Sequence, residues 1–97
     1  MSYISDLKDA IKRLHGCDSD YLESVPIVER FQDKPVWDGV VEVFALHGHP
    51  KAIRCYAWSH PKDDGGEHFV TVLELPPVDS PQKAVQVSIL ADSKKSR

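Results

Sequence analysis

Residues 36–46 read VWDGVVEVFAL and lie near the middle of the 97-residue chain. This stretch is rich in β-branched and aromatic residues, which are the residue types that favour a strand. Gly39 within it indicates a bulge or a close approach of packed groups. The composition therefore predicts a central β-strand over residues 36–46.

Three further segments have the composition of strands. One precedes the central strand, at 25–32, and two follow it, at 52–59 and 67–75. Turn residues separate them, as in Asp33-Lys34-Pro35. Because parallel pairing needs a crossover of about a dozen residues, these short connections predict an antiparallel meander. The polar segment Cys17–Ser24 is predicted to be a loop.

Two amphipathic helices flank the strands. Apolar residues recur at helical spacing over residues 3–15, and Gly16 is suited to end that helix. Ser80 and Pro81 are suited to begin a second helix, over residues 81–92. The predicted fold class is therefore α+β, in the order α-β-β-β-β-α. It consists of a four-stranded antiparallel meander sheet with two helices packed on one face.

The third predicted strand suggests which face the helices cover. Cys55 and Ala57 are small, so they could admit helices closely, whereas Tyr56 and Trp58 would point to the opposite side. We predict a single domain over residues 1–92 and a flexible basic tail over 93–97.

Composition limits the classes of function. The formal net charge is −3, and the twelve lysines and arginines are scattered, which makes nucleic acid an unlikely partner. The start of the chain has no apolar run typical of a signal peptide, and no stretch approaches the ~18 apolar residues of a membrane span. With only two cysteines, Cys17 and Cys55, we expect reduced thiols and a cytoplasmic location.

The helix-free face of the predicted sheet is the candidate site. Trp, Tyr and Arg dominate binding energy at interfaces, and exposed apolar patches indicate contact with a partner. The leading hypothesis is a non-enzymatic interaction module that binds a protein partner or forms a homodimer. The alternative interpretation of the same residues is that another part of the chain covers them, so that they form a second core. The predicted binding residues are Glu42, Phe44, Arg54, Tyr56 and Trp58.

Histidines provide the third-ranked hypothesis, a small metal-dependent enzyme, although we predict no catalytic residue, metal ligand or cofactor. A meander separates the two pairs of turn histidines by about 26 Å, at ~3.3 Å per residue of a strand of about eight residues, so they cannot share one metal. Two smaller groupings remain conceivable. One joins His15, Cys17, His47 and His49, and the other joins His60, Asp63, Asp64, Glu67 and His68.

The order of helix, antiparallel strands and helix superficially resembles the double-stranded-RNA-binding domain. That resemblance implies the second-ranked hypothesis, nucleic-acid binding through Lys83 at the start of the last helix and through the Lys94-Lys95 tail. The chain departs from the family in having four predicted strands instead of three. It also has a single lysine in Ser80-Pro81-Gln82-Lys83.

Overall fold

The structure is a computed structural model that describes residues 3–62 and 64–95, with the side chains described up to residue 91. The order of elements is the predicted one, and the sheet has the strand order β1-β2-β3-β4 with antiparallel pairing throughout. The α+β fold class and the meander are thus confirmed. The elements are α1 Tyr3–His15, β1 Asp18–Phe31, β2 Lys34–His47, β3 Arg54–Pro61, β4 Glu67–Leu73 and α2 Pro81–Lys95.

Strand β1 is longer than predicted, because the segment Cys17–Ser24 is not a loop. Pairing with β2 begins at Asp18, opposite His47, and continues to Phe31 with a bulge between Tyr21 and Glu23. The polar side chains of this part lie at the edge of the sheet and are mostly exposed. The first part of β1 is an edge strand that faces water, and its polar residues are therefore the types that also occur in a loop.

The β1–β2 turn also differs from the prediction. Gln32 and Asp33 form a two-residue connection, with φ angles of 52° and 66°. Positive φ at both central residues is the geometry that matches the twist of a hairpin. Lys34 and Pro35, which were predicted to lie in the turn, belong to β2 instead.

The two helices lie on opposite faces of the sheet, so the prediction that both pack on one face is wrong. Helix α1 packs Leu7 and Ile11 against a cluster that includes Cys55 and Ala57. Helix α2 packs on the other face, against the cluster that contains Tyr56 and Trp58. The physical reason is that alternate residues of β3 are apolar on both sides, and each apolar face needs its own cover.

The two hairpins separate beyond their shared centre. β2 pairs with β3 only between Glu42–Ala45 and Arg54–Ala57, whereas β1 and β2 pair along nearly their whole length. Past the last pair, the Ser59 N–H donates a hydrogen bond of 3.0 Å to the Tyr3 hydroxyl instead of to β2. The outer half of the β1–β2 hairpin therefore projects beyond β3, and α1 does not cover all of it.

Helix α2 begins where it was predicted to begin and ends three residues later than predicted, at Lys95. Ser80 Oγ accepts a hydrogen bond from the Lys83 N–H, as expected of an N-cap. The predicted tail 93–97 therefore overlaps the helix, and its last two residues lie outside the described part. Neither described helix is long and apolar enough to cross a membrane.

Candidate functional site

The five predicted binding residues do not form one open face. Glu42 and Phe44 lie on the face that α1 covers, and Tyr56 and Trp58 lie on the face that α2 covers. These four side chains are at most 6% exposed, and only Arg54 is exposed. The alternative interpretation, that these aromatic residues belong to a core, therefore describes the geometry better.

Tyr56 and Trp58 make internal contacts. The Tyr56 hydroxyl donates to Glu74 Oε2 at 2.5 Å. Burial and this carboxylate raise the pKa of Tyr56 well above its ordinary value. The Trp58 ring meets the edge of Trp37 with centroids 5.6 Å apart. Both side chains are therefore held by contacts within the protein, and both belong to the cluster that packs under α2.

The first histidine grouping does not form a metal site. Nε2 of His15 and Thr71 Oγ1 are hydrogen-bonded at 2.7 Å, and His47 Nε2 lies 2.6 Å from Asp20 Oδ2. His49 Nδ1 accepts the backbone N–H groups of residues 51 and 52. Each imidazole thus has a partner within the protein, and Cys17 is buried.

The second grouping is only partly described. The His60 and His68 rings lie side by side across β3 and β4, with centroids 4.9 Å apart. Asp63 lies outside the described residues. Within the described part of the chain, no group of three or more His, Cys, Asp or Glu residues is arranged to hold a metal ion.

Strand β4 is an open edge of the sheet. The Glu74 N–H donates to the Arg54 carbonyl at 2.9 Å, so the even-numbered residues of this segment direct their backbone groups towards β3. The odd-numbered residues Phe69 and Thr71 therefore direct their backbone N–H and C=O groups away from the sheet. No hydrogen-bond partner for these outward groups is present among the described residues.

A groove of about 620 Å³ runs along this edge. Val70 and Val72 contribute its strand side, and Val87, Ser88 and Ala91 contribute the side of α2. We call it the β4–α2 groove. It exists because α2 packs mainly over β1 and β2, which leaves the neighbouring part of β4 uncovered on that face. On the opposite face, the His15–Thr71 hydrogen bond ties α1 to β4.

The two edges of the sheet differ in how they are protected. β1 has Pro26, a bulge and several exposed carboxylates, which all discourage pairing with another strand. β4 has neither proline nor lysine, and its residues 69–73 are all uncharged. This site was not predicted from the sequence, although the contrast between the two edge strands is visible in the residue types.

The function of the chain must be inferred from this geometry. Comparison with protein-family models, with curated proteins and with solved structures found no match for the chain.

Proposed function

We propose that the protein is a non-enzymatic interaction module that pairs β4 with β4 of a second copy to form a homodimer. The observation that carries this proposal is the unprotected edge of β4 beside the apolar β4–α2 groove. Strand addition supplies main-chain hydrogen bonds, and alternate side chains enter the groove. The proposal includes a cytoplasmic location, which the two free thiols support.

One antiparallel register matches the two copies well. If Thr71 lies on the two-fold axis, then Val70 faces the partner's Val72 and Phe69 faces the partner's Leu73. His68 faces the partner's Glu74, which places an imidazole opposite a carboxylate. Apolar and opposite-charge cross-strand pairs each stabilise a sheet. A second copy therefore satisfies both the free backbone groups and the side chains of this edge.

Thr71→Pro tests the dimer. It removes the central outward N–H from each copy without removing a β3–β4 hydrogen bond, so two intermolecular bonds are lost. We expect the dissociation constant to rise about thirtyfold, from ~1 kcal/mol per bond. Sedimentation velocity over a range of protein concentrations measures this dissociation constant. Thr71→Val is the matched control, because it loses only the hydroxyl and should dimerise normally.

Ala91→Glu tests the groove without changing β4. A carboxylate placed beside the apolar wall should weaken the dimer strongly, whereas Leu90→Glu adds the same charge to the adjacent residue outside the groove and should have little effect. A wild-type chain that stays monomeric at every concentration would overturn the proposal. So would a dimer that is unaffected by both Thr71→Pro and Ala91→Glu.

A further inference from the structure

Glu42 is a buried carboxylate that has no ion pair with any described residue. Its side chain is 6% exposed and lies on the α1 face, opposite Ser24 of β1. Ser24 Oγ donates to Glu42 Oε1, and the Tyr21 hydroxyl lies 2.5 Å from the same Ser24 oxygen. The ion pairs among the described residues join Lys12 to Asp18 and His47 to Asp20, so none involves Glu42.

The second oxygen of Glu42 can be reached from outside. Glu42 Oε2 has no hydrogen-bond partner in the described part of the chain. The one buried side-chain polar atom without a partner there is Ser19 Oγ. Glu42 Oε2 is therefore not sealed from the surface, and it is free to accept a donor from a bound group.

An apolar surface leads to this oxygen. Glu42 and Ala57 form the last pair between β2 and β3, and past it no strand in the described part of the chain pairs with this side of the hairpin. Three residues of that hairpin share the face of Glu42 and are exposed, which we call the Val40 shelf: Pro26, Val28 and Val40. Val28 is 45% exposed and Val40 is 42% exposed.

We propose that this site binds a lysine side chain of a partner polypeptide. The ammonium group would donate to Glu42 Oε2, and the four-carbon stem would lie on the Val40 shelf. A buried carboxylate is costly unless it is paired, and an ammonium on an apolar stem complements both the charge and the surface beside it. This site is separate from the β4 edge and does not depend on the homodimer.

The test titrates the full-length protein with a short blocked peptide that contains one lysine, followed through backbone amide shifts in NMR spectra. We expect shifts at Ser24, Val40 and Glu42. Glu42→Gln should weaken binding at least about tenfold, the scale of a lost charged hydrogen bond. Asp38→Asn removes a carboxylate from an exposed position on the same face and should change binding less than twofold.

Three further ligands test which chemical group the site binds. A peptide with norleucine in place of lysine should not bind, and equal binding would overturn the proposal. Equal binding of an arginine peptide would overturn the assignment to lysine, and equal binding of a free alkyl diamine would overturn the polypeptide source. An equal loss of peptide affinity in Asp38→Asn and Glu42→Gln would also overturn the proposal, because the attraction to the peptide would then be non-specific.

A second variant keeps the test decisive if Glu42→Gln does not fold. Val40→Lys places a permanent ammonium two residues along the strand on the same face as Glu42. This lysine should pair with Glu42, so the variant should have a higher melting temperature and should not bind the peptide. Thr71→Pro should leave peptide binding unchanged, which separates this site from the β4 edge. Undiminished binding to Val40→Lys would contradict the proposal.

Discussion

At the scale of single residues, two side chains on the same face of β3 have very different environments. Trp58 is 3% exposed and packs under α2, whereas Arg54, at the start of the same strand, is exposed. Both were predicted to contribute to one binding surface. Their burial assigns them different roles, because only Trp58 belongs to the core.

Trp58→Ala should therefore reduce stability rather than test binding. We expect a loss of about 3–5 kcal/mol, from the transfer of the indole out of the core and the cavity it leaves. Arg54→Ala should change stability by less than about 0.5 kcal/mol, because its side chain is exposed. Urea denaturation measures both. Similar small losses in the two variants would contradict the placement of Trp58.

Cys55 shows why its residue type suits its position. It is fully buried beneath α1, and burial raises the pKa of its thiol to about 12. A thiol that stays protonated is a poor nucleophile, so Cys55 functions as a small core side chain. This agrees with the interpretation of Cys55 from the sequence.

At the scale of elements, the β1–β2 turn is formed by two residues that suit its positive φ angles less well than Asn and Gly do. Replacing Gln32 and Asp33 together with Asn and Gly, the preferred pair for this turn, should stabilise the protein by about 1 kcal/mol. Asp33→Ala should have the opposite effect, because alanine tolerates positive φ less well. Thermal unfolding measures both. A destabilised Asn-Gly variant would contradict the turn geometry.

The elements that could be predicted are those whose pattern does not depend on distant neighbours. The strand over 36–46 and both helices have strong local signals, and each exists in the structure. The first part of β1 could not be predicted, because exposed polar residues at an edge resemble a loop. Its strand conformation comes from pairing with β2.

The candidate site was less predictable than the fold. Alternation in β3 correctly separates Cys55 and Ala57 from Tyr56 and Trp58, but it does not specify how many faces are covered. The number of covered faces depends on where α2 packs, and the contacts of α2 join residues that are far apart in the sequence. The open edge of β4 follows from strand order together with the position of α2. Only Glu42, among the predicted residues, keeps a role in a proposed site.

At the scale of the whole molecule, stability should depend on pH through His15. Burial, and then the proximity of His49, lower the pKa of His15 below its ordinary value of 6.5. The unfolded chain therefore takes up this proton more readily than the folded one. Stability contributed by neutral His15 is complete above pH 6.5 and is lost as the pH falls from 6.5 through the lower folded pKa.

The variant His15→Gln checks this dependence, since glutamine is neutral throughout and can still bond to Thr71. Its melting temperature should fall less steeply below pH 6.5 than that of the wild type. The other four histidines are present in both proteins, so the difference between the two curves isolates His15. Parallel curves would show that His15 makes no such contribution.

The face of the sheet that contains Trp58 is covered by the last element of the chain. Helix α1 contacts β1, β3 and β4, whereas α2 contacts β1 and β2 and packs on Tyr56 and Trp58 of β3. During synthesis, the β1–β2 hairpin emerges early but remains without its cover until α2 has left the ribosome. A nascent chain that stops short of α2 therefore exposes Trp58 and its apolar neighbours, which makes such a fragment a target for chaperones and proteases.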